Sequence, residues 1–120
     1  MAGKMRFFGQ PYIGDSIKNP NKVIKKLRRG KKQLKVYLIV LAEESGQLEI
    51  YHNIYLRQWY YKENPPLIIG IAGDHKEAVE LVCQITQETL EKTGKVDLRG
   101  YLMAKVKKEK ERTERFDIRR

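Results

Sequence analysis

The chain has 120 residues, 25 Lys/Arg against 15 Asp/Glu, a formal net charge of +10 and a single cysteine. That length suits one domain with a genuine core, and one cysteine excludes an intramolecular disulfide and points to a reducing, cytoplasmic setting. No stretch approaches the run of about 18 apolar residues needed for a membrane span, and the N-terminus lacks an apolar region of signal-peptide length.

The charge is segregated. Residues 1–42 hold 11 basic and 1 acidic residue, 43–94 hold 4 and 9, and 95–120 hold 10 and 5. A chain with basic ends and an acidic middle is expected to present a concentrated positive field to polyanions, unless its ends fold back on the middle.

In chain order, Phe7, Phe8, Tyr12 and Ile13 stand among Gly3, Gly9, Pro11 and Gly14. Residues 1–15 therefore read as an irregular arm with aromatics docked on the domain and a mobile end. Asn19-Pro20 then reads as the N-cap and first position of a short helix that ends at Gly30 and buries the narrow stripe Val23, Ile24 and Leu27. Its other positions are almost all basic. Nine cations fall within the eighteen residues from Lys18 to Lys35, with no acid between Asp15 and Glu43. Their mutual repulsion is a cost that a phosphate backbone, an anionic lipid surface or an acidic partner would relieve. The candidate nucleic-acid contacts are Lys22, Lys25, Lys26, Arg28, Arg29, Lys31, Lys32 and Lys35. A plain solvated face, neutralised by the acids of residues 43–94, is the alternative.

Gln33 to Ala42 is rich in β-branched and aromatic residues and reads as a strand, with Leu34, Val36, Leu38 and Val40 on one face. Glu43-Glu44-Ser45-Gly46 makes a turn into a second strand through Leu48 and Ile50, completing a hairpin. Residues 53–62 fit a short helix or a continued strand; the helix is the reading adopted, ended by Asn64-Pro65-Pro66. Tyr51, Tyr55, Trp59, Tyr60 and Tyr61 crowd this segment. They form a candidate interface, since Tyr and Trp anchor protein contacts, and with Arg57 and Lys62 they could stack on unpaired bases. A core wall with wet phenol tips is the plainer alternative.

Leu67 to Ala72, between Pro65-Pro66 and Gly73-Asp74, has the continuous apolar pattern of a central strand covered on both faces. Asp74 and Glu77 form a capping pair for a long helix in which Ala78, Leu81, Val82, Ile85 and Thr89 share a face, closed by Lys92 and Gly94. Gly70 and Gly73 match neither the dinucleotide nor the P-loop spacing, so Gly70 is assigned to close helix packing and Gly73 to the turn. Asp97 caps a last helix with the apolar edge Leu98, Tyr101, Leu102 and Val106. Beyond it the chain is charged on every face, and Phe116 and Ile118 are candidate late anchors.

The expected fold is α+β, with a small three-stranded, at least partly antiparallel sheet covered by one long helix, a short basic N-terminal helix and a charged C-terminal helix or tail. Residues 1–15 are an arm, 16–106 the single domain and 107–120 a mobile tail. One face of so small a sheet is free to stay open, to be covered by the aromatic segment or by a second subunit in a homodimer.

The function expected is a non-enzymatic, cytoplasmic binding protein that contacts DNA or RNA with little sequence specificity. The alternative is a protein-interaction or oligomerisation module that uses the Tyr/Trp segment and an open sheet face. An enzyme comes third, because Asp74, His75 and Glu77 cluster in one turn without a nucleophile or metal partner. No cofactor and no metal are expected: His52, His75 and Cys83 offer no ligand spacing for zinc.

Overall fold

A computed structural model describes residues 6–42, 44–56 and 66–118, with side chains of the last helix described as far as Arg112. Trp59, Tyr60 and Tyr61 lie outside the described residues. The elements are β1 (Arg6–Ile13), α1 (Pro20–Arg28), β2 (Tyr37–Ala42), β3 (Gln47–His52), a single 3-10 turn (Asn53–Tyr55), β4 (Leu67–Ala72), α2 (His75–Thr93) and α3 (Leu98–Ile118).

The run Leu67–Ala72 is the buried centre that its apolar pattern predicts, with all six residues out of solvent. The sheet order is β1-β4-β2-β3, so β4 lies between β1, parallel to it, and β2, antiparallel to it. The β2–β3 hairpin pairs Ala42 with Gln47 through a turn in which Gly46 takes φ +73° and donates to the Ala42 carbonyl at 2.7 Å. The fold is thus α+β with a four-stranded mixed sheet and three helices among the described residues.

The additional strand is β1, in the segment expected to be irregular. It pairs Phe7 with Ile68 and then Tyr12 with Gly70, so Phe8, Gly9, Gln10 and Pro11 face only Ile69 across the ladder. An edge strand with such a bulge tolerates a glycine and a proline that a central strand would not. Side chains still alternate: Phe8 and Tyr12 join one core, and Phe7 and Ile13 the other.

Gly70 serves this same crowding rather than helix packing. A Cβ there would stand 3.0 Å from the Tyr12 carbonyl oxygen and 3.3 Å from Ile39 Cδ1, so the two neighbouring strands close on it from either side. Across from β2, Ile39 pairs with Gly70 and Val40 with Ile68, leaving Ile69 as an extra residue. That bulge lets Leu67, Ile69 and Ala72 enter one core while Ile68 and Ile71 enter the other.

Both faces of the sheet are covered. On one, Ala78, Leu81 and Ile85 of α2 and Leu102 of α3 pack on Phe8, Ile39, Leu41 and Ile69. On the other, the expected open face is closed by α1, whose Leu27 is fully buried with Val36, Leu38, Val40, Leu56, Ile68 and Ile71. The expected strand from Gln33 starts only at Tyr37, and Leu34, assigned to the inward face, is 93% exposed in a turn. The backbone of the last helix runs from Leu98 through the charged segment to Ile118.

The terminal signals of the helices hold. The Asp74 carboxylate accepts from Glu77 N at 2.8 Å and the Asp97 carboxylate from Gly100 N at 3.0 Å, while Gly94 caps α2 at φ +75°. Glu77 reaches past its own cap residue to accept from Gly73 N at 2.7 Å. The described helices include none long and apolar enough to cross a membrane.

Candidate functional site

The basic run is organised by a nine-residue helix whose ends are both locally encoded. Asn19 Oδ1 accepts from Lys22 N at 3.2 Å, Pro20 occupies the first turn where its missing N–H costs nothing, and Gly30 takes φ +71°. Gly30 N donates to the Leu27 carbonyl and Lys31 N to the Lys26 carbonyl, both at 3.0 Å, the paired bonds of a Schellman C-cap. Lys25, Lys26 and Arg28 lie in the last turn, where the helix dipole offsets part of their repulsion.

Inward burial of Leu27, with Val23 and Ile24 beside it, fixes which side of α1 faces water. Lys22, Lys25, Arg28 and Arg29 are exposed and Lys26 is half-buried. Arg28 lies over the Phe7 ring at 4.7 Å, a cation–π contact that ties the helix to β1 and leaves its charge uncompensated. Among the described residues, none of the nine cations from Lys18 to Lys35 has a carboxylate within ion-pair distance. The described acids of residues 44–94 therefore form no ion pair with them.

The loop after α1 is held by residues from the far end of the hairpin. The buried Asn53 side chain accepts from Gln33 N at 2.9 Å and donates to the carbonyls of Gln33 at 2.5 Å and Val36 at 2.8 Å. Gln33 Nε2 in turn donates to the Val23 carbonyl at 3.3 Å. His52 adds a fifth tie. A carbonyl can only accept, so His52 Nε2 carries the proton that reaches Leu34 O at 3.0 Å, and Nδ1 accepts from Ile54 N at 3.1 Å. Lys31, Lys32 and Lys35 are displayed from this clamped loop, beside the turn that carries Ile54 and Tyr55, 51% and 46% exposed.

The structure thus brings the eight predicted basic residues and part of the predicted aromatic set to one side of the sheet. Tyr51 packs against the α1-side core and meets Tyr55 edge-on, centroids 5.8 Å apart, while its hydroxyl donates to Glu49 at 2.9 Å. Asn53, which joins the two sets, was not singled out by its sequence. Its only signal is a polar residue directly after a strand.

The Asp74, His75 and Glu77 turn is committed to structure. The Glu77 carboxylate accepts from Ser16 Oγ at 2.6 Å, Ser16 N at 3.0 Å and Gly73 N. The Ser16 hydroxyl above all, with those N–H groups, holds it below the usual carboxylate range. A carboxylate already fills the anion position of the turn. His75 meets Tyr37 edge-on at 6.0 Å, and the described residues contain no cluster of His, Cys, Asp or Glu fit to hold a metal.

A second polar assembly, on the opposite face, was not foreseen. Glu88 Oε2 accepts from Tyr12 Oη at 2.5 Å, Tyr101 Oη at 2.6 Å and Lys105 Nζ at 2.9 Å, joining β1, α2 and α3. Burial alone would raise the Glu88 pKa, but the two phenols and the ammonium outweigh it and bring it down to about 2. Tyr12 is pushed up to about 12 by burial and by Glu88. Lys105 is raised despite its partial burial, chiefly because Glu88 accepts its proton's hydrogen bond.

The fold and this surface define a small α+β protein whose basic face has no carboxylate partners among the described residues. No family model matches the chain, and comparison with curated proteins and with solved structures returns no match.

Proposed function

We propose that this protein binds nucleic acid, DNA or RNA, through the outer side of α1 and the clamped loop that follows it, with little sequence preference. The observation that carries the reading is a helix docked on its apolar side, with its outward cations left without carboxylate partners among the described residues. Lysine-rich surfaces of this kind engage phosphates as point charges, which supplies affinity but little base discrimination. Tyr55, half-exposed two residues after the Asn53 that clamps this loop, offers a ring for an unstacked base and favours single strands over duplex.

Fluorescence anisotropy with single- and double-stranded DNA and RNA tests it. If about five phosphates are contacted, affinity for a single strand falls roughly 100-fold between about 50 and 200 mM salt. Changing Lys22, Lys25, Lys26, Arg28 and Arg29 together to Gln removes most of the affinity and most of that slope. Undiminished binding by this variant, or none by the wild type at low salt, would sink the reading.

A second reading rests on Leu34, 93% exposed, with Ile54 and Tyr55 near it. As a protein-interaction surface this apolar patch predicts self-association that survives high salt. The closed sheet face leaves the patch itself as the surface available to that reading.

A further inference from the structure

The C-terminal third of the chain builds a second basic surface, on the opposite side of the sheet from α1. Its setting is the corner where α2 ends at Gly94 and α3 begins after Asp97. A groove of about 620 Å³ opens there, lined by Lys92, Lys95, Lys105 and Lys108, with Tyr101 and Ala104 as its apolar wall. Asp97 is the single acid in the lining, and its carboxylate is already turned to the Gly100 N–H at 3.0 Å. Lys105 is engaged with Glu88 and Tyr12. Lys92, Lys95 and Lys108 have no carboxylate within ion-pair distance among the described residues. The lining thus carries four positive charges against one negative, in a concavity rather than on a convex helix.

The ends of α2 and α3 meet here with opposed dipoles, so the field in the groove is that of its lysines. A volume of this size is that of a small-molecule site. The polar donors apart from lysine are already committed: Thr93 Oγ1 donates to the Thr89 carbonyl, and Tyr101 Oη donates to Glu88. What remains is the ammonium charge of Lys92, Lys95 and Lys108 beside the Ala104 methyl group and the Tyr101 ring, over one face of which the Lys105 ammonium lies at 4.8 Å. That combination fits a multiply charged phosphate attached to a flat or apolar body.

We propose that this groove binds a small organic phosphate of the nucleotide class, its phosphates among Lys92, Lys95 and Lys108 and its body against Tyr101 and Ala104. The site is separate from α1 and does not rest on the nucleic-acid reading. The test is titration calorimetry of the full chain with ATP, pyrophosphate and adenosine. ATP is expected to bind with a dissociation constant below about 1 mM, pyrophosphate more weakly and adenosine at least about 10-fold more weakly than ATP.

The double variant Lys95→Gln, Lys108→Gln, both exposed and so safe for folding, is expected to lose at least about 10-fold in ATP affinity. The α1 variant with five Gln substitutions is expected to bind ATP as the wild type does. The proposal is overturned if ATP shows no saturation up to about 10 mM, if adenosine binds as tightly as ATP, or if the α1 variant rather than the groove variant loses ATP. Loss of nucleic-acid binding by the α1 variant leaves these outcomes unaffected, so the two readings fail separately.

Discussion

Two regions of the molecule treat charge in opposite ways. Where β1, α2 and α3 meet, Glu88 gathers two phenols and the Lys105 ammonium onto one carboxylate oxygen, and these charges satisfy one another within the chain. On the α1 face, cations stand on a helix whose apolar stripe is only three residues wide and find no carboxylate among the described residues. The compensated charge at Glu88 holds three elements together, whereas the cations of α1, the Arg28–Phe7 contact apart, tie nothing within the described fold and are the feature on which the proposed function rests.

Breaking the α1 face at its anchor should have the largest effect. Leu27 is fully buried, and Leu27→Ala should cost about 3 kcal/mol in chemical denaturation; under the proposed function it also weakens nucleic-acid binding, through loss of the helix rather than of charge. A variant as stable as the wild type would mean that α1 is not held by this stripe.

Glu88→Gln sharpens the other half of the contrast. It should cost about 2 kcal/mol near neutral pH, because one carboxylate oxygen receives three hydrogen bonds, one of them from an ammonium. The sign with pH follows from the shifts. The Glu88 pKa is depressed from 4.5 to about 2, so its contribution is present above pH 4.5 and lost as pH falls toward 2. Tyr12 is raised from 10 to about 12, so its contribution is present below pH 10 and lost as pH rises toward 12. In Glu88→Gln the acid limb should flatten, and the alkaline limb should weaken only in part, because burial is the larger cause of the Tyr12 shift. A variant that keeps the wild-type acid limb would refute the assignment.

Asn19→Ala removes the α1 cap and should cost about 1 kcal/mol, visible as a lower thermal midpoint. Smallest of all, Lys25→Gln with Lys26→Gln should leave stability within about 0.5 kcal/mol of the wild type at moderate salt, and slightly raise it at low salt. A clear loss would show that these charges are used inside the fold.

What the sequence made legible was local. The start and end of α2 are written in Asp74, Glu77 and Gly94, those of α1 in Asn19-Pro20 and Gly30, and each lies within a few residues of the backbone groups it satisfies. The centre at Leu67–Ala72 was legible because burial on both faces leaves an unbroken apolar run. β1 was not, since its glycine and proline read as loop and its pairing with β4 joins segments about sixty residues apart. Leu34 was misplaced because alternation was carried four residues beyond the true strand start, across a loop whose course is set by Asn53 and His52. The basic run was visible as composition; its display from a docked helix and a clamped loop needed the tertiary structure. The Tyr12, Glu88, Tyr101 and Lys105 set was out of reach for the same reason, with Tyr12 and Lys105 93 residues apart.

The Asn53 clamp also bears on how fast a ligand could be captured. A loop of lysines would ordinarily lose conformational entropy on meeting a strand, at about 0.5–1.5 kcal/mol for each side chain fixed, plus the cost of its backbone. Here the backbone from Gln33 to Val36 is already fixed by a buried amide. Capture should then be limited by encounter, not by rearrangement, with an association rate set by the field of the basic face and falling as salt screens it.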